Sequence, residues 1–310
     1  MKREIHETDM IHQEGGYVVR HSVLVMMQHW LVAISGLILL FSGFGQLPVY
    51  KRYMLNQVPG FAWASDFILQ FQIHMIAAAI FTFAGIFHLV YHYIEGGRSI
   101  MPMKGDMKES IHIIKAMVKG EKEPPHGKFL AEQRLAYALI GVSIIVLIGS
   151  GFLKLADNLI GVTVPYWVVF WSTMVHNLAT VLFLFAFIAH IGAFVLKANW
   201  PLFSSMFTGK VKLDYAEDRH PLWTDEIRRG EATKNKMMAE CVVRIFAGTM
   251  VGTGVILGGI IHPAWYLLPA FVAVNLIQSA FTRWCPLEIM LVKLGYPRGK
   301  DFVWKYYDEK

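Results

Sequence analysis

The sequence predicts an all-α integral membrane protein with six transmembrane helices, four in one bundle and two in a C-terminal hairpin. Three observations lead there. The 310 residues are 55% hydrophobic and only 17% charged, against about 25% charged in a soluble domain, and the mean hydropathy is +0.42. Six apolar stretches, near 22–48, 66–94, 135–156, 166–196, 240–261 and 263–283, reach the roughly 20 residues that a bilayer crossing needs. The connections between them alternate sharply in charge.

The first stretch follows a polar segment, is long, and has no small-residue cleavage site, so it reads as a retained span. Lys2, Arg3 and Arg20 precede it. The connection 95–134 carries eight basic residues from Arg98 to Arg134, the segment 197–244 carries nine, and the tail from Arg283 to Lys310 carries six. The opposite face has only Lys51, Arg52 and Lys154. The positive-inside rule places both termini in the cytoplasm of a bacterial inner membrane. Residues 107–119 pattern as a short amphipathic helix on the inner membrane surface, with Ile111, Ile114, Met117 and Val118 on one side. The chain divides into a membrane domain over 1–199, a cytoplasmic linker over 200–236, and a two-helix membrane domain with its tail over 237–310. A tight His262–Pro263 turn joins the last two spans.

Two cysteines, Cys241 and Cys285, exclude a disulfide framework, a four-cysteine zinc site and a cysteine-ligated iron–sulfur cluster. Without C-x-x-C-H there is no covalently attached haem. No glycine-rich phosphate loop or nucleic-acid signature is present, and the basic residues follow membrane topology, so the partners expected are lipid and protein, not nucleic acid.

Ionisable residues inside spans are rare and usually functional. Spans I–IV hold His29, His74, His88, His176 and His190. His29 and His190 each lie about six residues, roughly 9 Å, from the cytoplasmic ends of their spans. His74 and His176 lie at a similar depth from the outer side. His176 and His190 are 14 residues apart, which is about 40° short of four helical turns with a rise of about 21 Å. Both imidazoles project from nearly one face, spaced for two stacked macrocycles. Neutral imidazole is a common axial ligand of haem iron, so two level pairs describe a four-helix bundle with two b-type haems. A single intramembrane histidine is explained as well by a hydrogen bond to a carbonyl or hydroxyl; four matched in depth are not. Zinc fits poorly, because the pairs are far apart and lack a thiol or carboxylate. A proton relay would want buried Asp or Glu, which spans I–IV almost lack. His88 also follows His74 by 14 residues, and is either an alternative inner ligand or a neighbour of a haem propionate or quinone. Gly36, Gly43, Gly85 and Gly192 would admit a flat macrocycle, or simply close helix packing.

Over roughly residues 20–228 the chain resembles the gamma (cytochrome b) subunit of respiratory formate dehydrogenase, within the dihaem cytochrome b family. The resemblance rests on Gln28-His29-Trp30, His74, His176-x13-His190, Thr208-Gly-Lys-Val-Lys, and Arg219-His220-Pro221-Leu222-Trp223. It implies His29, His74, His176 and His190 as the axial ligands of two haem b, with His88 outside the set. It also implies an iron–sulfur beta subunit and a molybdenum or tungsten catalytic alpha subunit on the outer side, and a higher oligomer of the complex. Electrons would enter at the outer haem and pass from the inner haem to menaquinone or ubiquinone. The family's quinone site uses the ligand corresponding to His190 and the loop Phe129-Leu130-Ala131-Glu132-Gln133-Arg134. Leu130 and Glu132 depart from the family's Asn and Gly, leaving Glu132 and Gln133 as quinone-site candidates. The chain itself would do no formate chemistry. The outer connections 49–65 and 157–165 would dock the iron–sulfur subunit, with Tyr50, Lys51, Arg52 and Tyr53 as anchors, since Arg and Tyr are enriched in interface cores.

Residues 237–310 are similar to the two-helix membrane domain of the rhodanese-type inner-membrane proteins, through Arg244-x2-Ala-Gly, Cys285-Pro-Leu and Lys293-Leu-Gly. Cys285 reads as a packed residue at a span end or as a reactive thiol. Two other functions compete with the formate:quinone reading. One is the same cytochrome serving a hydrogenase or another molybdopterin enzyme. The other is a transporter with a histidine relay.

Overall fold

The computed structural model describes residues 11–12, 16–95, 98–121, 123–158, 162–229, 239–282, 284–294 and 296. Lys2, Arg3, the end of the expected linker at 230–236, Arg283, Gly295 and the tail from 297 lie outside the described residues. Among the described residues, six helices are long and apolar enough to cross a membrane: Val23–Gln46, Phe67–His92, Ala131–Ala156, Tyr166–Val195, Ala239–Ile260 and Pro263–Thr282. The all-α, six-span architecture expected from the sequence is the one observed. The third span begins earlier than hydropathy suggests because the polar turn Ala131–Arg134 is already helical. There the Gln133 side chain accepts a hydrogen bond from the Leu130 amide at 3.2 Å and satisfies an otherwise orphaned donor.

The chain forms two compact units, residues 1–85 with 96–233, and residues 86–95 with 234–310. In the first, strands β1 (Ile11–His12) and β2 (Tyr17–Val19) lead into α1 (Val23–Gln46), which Ser22 caps by accepting from the Val25 amide. A short turn, α2 (Val49–Arg52), precedes α3 (Phe67–Glu95). The amphipathic α4 (Asp106–Lys119) then leads to α5 (Ala131–Ala156) and α6 (Tyr166–Gly192). In α4 the residues Met107, Ile111, Ile114 and Val118 form the exposed apolar stripe. Met117, expected on that stripe, instead packs on the buried cluster of Ile113, Leu130 and Ala131, so α4 is also fastened to the start of α5.

The segment 200–229 is folded within the first unit. It comprises α7 (Trp200–Thr208), β3 (Lys210–Lys212), α8 (Leu213–Arg219) and α9 (Pro221–Arg228). β3 completes a small antiparallel sheet of order β1-β2-β3, with Val18 opposite Val211. Sequence reading anticipated no strands. Gly209 turns the chain between α7 and β3 at φ 73, and a Cβ there would lie 2.7 Å from the His21 carbonyl oxygen. Its own carbonyl accepts from the amides of Arg20 and His21. Val18, Val211, Ala216 and Trp223 make the core beneath this sheet.

The second unit contains α10 (Ala239–Ile260), α11 (Leu267–Thr282) and α12 (Pro286–Lys293). The turn at Pro263–Tyr266 is capped by His262, whose Nδ1 accepts from the Ala264 amide. The Tyr266 ring lies so close to α10 that a Cβ at Gly258 would come within 2.6 Å of it. Phe87 packs on Phe246, and Tyr91 hydrogen-bonds Tyr296 in the interior. Cys285 is buried at the start of α12.

Candidate functional site

The helix period brings His176 and His190 to nearly one face of α6. His74 of α3 faces His176 with ring centres 6.5 Å apart and planes at 63°. His29 of α1 faces His190 with ring centres 6.2 Å apart and planes at 52°. The structure therefore gathers the four histidines selected by depth into the two expected couples. His88 belongs to the second unit, where its ring lies 4.3 Å from that of His92.

Among the described residues no three His, Cys, Asp or Glu side chains gather into a metal site. Two imidazoles alone do not satisfy tetrahedral zinc, but they suit an iron whose remaining ligands come from a macrocycle. Two imidazoles that held one metal ion between them, each nitrogen about 2 Å away, would have their ring centres about 6 Å apart. Both couples have that separation, so these residues fit haem.

Between the couples lies an apolar layer. Phe81 and Phe183, each seven residues after an outer histidine, meet edge to face at 6.1 Å and are buried with Leu40. A Cβ on Gly36 would sit 3.3 Å from both rings, so α1 approaches there because it carries no side chain.

The outer couple has a polar shell. Ser42 Oγ lies 3.0 Å from His74 Nδ1, and Ser150 Oγ lies 2.9 Å from His176 Nδ1. Next to each serine a glycine, Gly43 or Gly151, faces the imidazole edge, with a Cβ position 3.6 or 3.5 Å from Cε1. Lys154, one turn beyond Ser150, is within electrostatic reach of both rings. The inner couple differs: His29 Nδ1 is buried with no hydrogen-bond partner among the described residues. Trp30 beside it donates to the Met206 carbonyl at 2.9 Å, tying α1 to α7.

At the start of α5, Gln133 is engaged as the cap of that helix and Leu130 is fully buried. Glu132 Oε2 is buried and has no hydrogen-bond partner among the described residues. Arg134 is clamped by Asp106 at 2.5 and 2.8 Å and donates to the Phe129 carbonyl at 2.7 Å. His126 lies 3.5 Å from Glu123 and 3.9 Å from Glu109. His126, with Arg219, holds the Glu123 carboxyl below the usual range. Arg219 also donates to Ala198 and Asn199, and His220 Nδ1 donates to the Gly127 carbonyl at 2.7 Å. Arg20 lies over the buried Trp223 ring at 5.3 Å. The 219–223 motif thus knots the segment after α6 to the loop before α5.

Residues 20–209 match the family described as prokaryotic cytochrome b561. The chain belongs to that family. Residues 233–296 match a second family, the transmembrane domain of the YgaP-like inner membrane proteins. The nitrate-inducible formate dehydrogenase cytochrome b556 subunits of Escherichia coli and Shigella flexneri are each 25% identical over 219 residues, covering 70% of this chain and 94% of the relative. An uncharacterized protein of Synechocystis is 39% identical over 59 residues, 19% of this chain and 33% of that protein. The six spans and the second family fit a multi-pass inner-membrane protein, and the cytochrome b family implies haem b.

Sequence reasoning missed the serine shell of this cytochrome. Its signal was present as Ser-Gly at 42–43 and 150–151, small polar residues inside otherwise apolar spans.

Proposed function

We propose that this cytochrome is the membrane-anchoring dihaem subunit of a formate dehydrogenase complex. In this reading it links an iron–sulfur subunit on the outer side to menaquinone or ubiquinone near the cytoplasmic face. The observation that carries the reading is the pair of facing imidazole couples, 6.2 and 6.5 Å across, separated along α6 by about 21 Å. The kinship with formate dehydrogenase cytochrome b556 subunits supports the identity of the complex, in which a molybdenum or tungsten subunit would oxidise formate.

His74 and His176 hold the outer haem, and His29 and His190 the inner one. Haem b, when bound, supplies a reversible one-electron iron couple. Phe81 and Phe183 keep the layer between the sites free of water. On the outer face Tyr50 is committed to the Phe41 carbonyl at 2.8 Å, which leaves Lys51, Arg52 and Tyr53, all exposed, to meet the iron–sulfur subunit. At the cytoplasmic face Gln133 fixes the first turn of α5, Glu132 takes up a proton for the quinone, and the His190 ring nitrogen remote from iron donates to a quinone carbonyl. Both termini lie in the cytoplasm. Residues 1–199 carry the haem bundle, 200–236 are the cytoplasmic linker, and 237–310 serve assembly.

The test is the purified chain. Two haem b per chain are expected, with His74→Ala and His176→Ala each losing the same one, and His29→Ala and His190→Ala the other. A full haem complement in His176→Ala protein overturns the ligand assignment. Co-purification with a nickel–iron subunit instead of a formate-oxidising one overturns the partner.

A further inference from the structure

We propose that Ser42 and Ser150 are positioning residues that select the tautomer of His74 and His176 and lower the reduction potential of the outer site. This rests on reading those two histidines as haem ligands. A serine hydroxyl has one proton and two acceptor lone pairs. Ser42 Oγ lies 2.7 Å from the Ile38 carbonyl oxygen, and Ser150 Oγ lies 2.6 Å from that of Val146. A carbonyl oxygen only accepts, so each hydroxyl proton points there. Toward its histidine, each Oγ is left only able to accept.

Nδ1 of His74 and Nδ1 of His176, at 3.0 and 2.9 Å, therefore carry the ring proton. Neutral imidazole has one N–H, so Nε2 of both rings keeps the lone pair that would bind iron. The serine, beside the Leu39 or Leu147 carbonyl that the same ring also meets, thereby orients the ring and makes the ligand more basic, as the hydrogen-bonding partners of metal-bound histidines do. A more basic ligand favours the ferric state and lowers the potential. The inner couple has no equivalent at His29, whose Nδ1 is buried without a hydrogen-bond partner among the described residues.

The fold also supplies controls. Ser35 and Ser143 lie one heptad before Ser42 and Ser150 on the same helices. They are equally buried and donate back to the Leu31 and Leu139 carbonyls at 2.6 and 2.8 Å. They share the helical context and differ in making no histidine hydrogen bond among the described residues.

The experiment is potentiometric titration with haem quantification on the purified full chain, as wild type and as S42A, S150A, S42T, S150T, S35A and S143A. The outer midpoint is the one that disappears in H176A protein. S42A and S150A should each raise that midpoint by about a tenfold change in the ferric-to-ferrous binding ratio, which is about 59 mV for one electron. The inner midpoint should stay in place. The threonine variants keep the hydroxyl and should keep the wild-type value, as should S35A and S143A. Loss of the outer haem from S42A or S150A, with retention in the threonine and control variants, also supports the proposal. An unchanged outer midpoint in both alanine variants, or the same shift or loss in S35A and S143A, overturns it. A wild-type chain without two b haems would instead strike down the ligand assignment itself.

Discussion

Replacing Asp106 with Ala should loosen the loop before α5 while leaving both histidine couples intact. The Asp106 and Arg134 side chains are 3% and 5% exposed, and both carboxylate oxygens are engaged, at 2.5 and 2.8 Å. Removing one partner of such a pair leaves a buried, uncompensated charge and costs about 3–5 kcal/mol. Glu109, 3.7 Å from the guanidinium but 44% exposed, offsets part of this, so about 3 kcal/mol is expected, roughly a hundredfold in a local opening equilibrium. Hydrogen exchange on the detergent-solubilised chain reads it directly: amide protection across α4 and the first turn of α5 should fall about a hundredfold. The Asp106→Leu, Arg134→Leu double variant should recover most of the loss, because exchanging a buried ion pair for apolar residues is often near neutral. The four histidines lie on α1, α3 and α6, so haem content should not change, whereas quinone reduction should slow if Glu132 and Gln133 work as proposed. Protection that falls by less than about threefold, under 1 kcal/mol, would refute the claim that this pair holds the loop.

Three further outcomes are expected. Burial first, then Arg20, pushes His220 down to about 2, so as pH falls the unfolded chain takes up the proton first. This residue's contribution to stability is full above about pH 6.5 and falls by about 2 kcal/mol by pH 5; thermal unfolding against pH should show that slope, and His220→Gln should flatten it. Gly209→Ala forces a residue with a Cβ into the left-handed region against the His21 carbonyl, at a cost of about 1–2 kcal/mol or more, and should lower the unfolding temperature without loss of haem. Lys154→Gln removes a positive charge near His74 and His176 and should lower the outer midpoint, opposite in sign to the serine variants; a rise would show that the lysine does not face the outer site.

Spans were legible because a bilayer imposes length and apolarity on every crossing helix, and histidine depth followed from counting along those helices. What the sequence hid depends on chain segments meeting across long separations. Val18 pairs with Val211, Arg20 stacks on Trp223 and Trp30 bonds Met206, and no local period announces any of them. The Arg219-to-Trp223 motif was readable as a resemblance, but its physical role appears only when Arg219 and His220 are seen to hold Asn199 and Gly127. In α4 the helical period was correct and the assignment of Met117 was not, because one side of that helix packs on Leu130 and Ala131 and not on lipid. Gln133 reads as a polar residue free for a ligand until its side chain is found capping α5.

The two sites also show why spacing could not choose among the inner histidines. Around the outer couple the bundle is built from like halves: Ser42-Gly43 of α1 covers His74 of α3, and Ser150-Gly151 of α5 covers His176 of α6. Carried one step further, that likeness would make His88 the partner of His190, since each follows its outer histidine by 14 residues. The ring geometry favours another choice. His29 of α1 faces His190 at 6.2 Å, and His88 lies against His92 in the part of α3 that belongs to the second unit. The helix that supplies the outer serine thus also supplies an inner histidine, 13 residues away in the sequence. The halves are equivalent around His74 and His176 and diverge around His29 and His190. There the 219–223 knot and Arg20 hold the loop before α5, and the proposed quinone chemistry requires polar groups that a symmetric bundle would not supply.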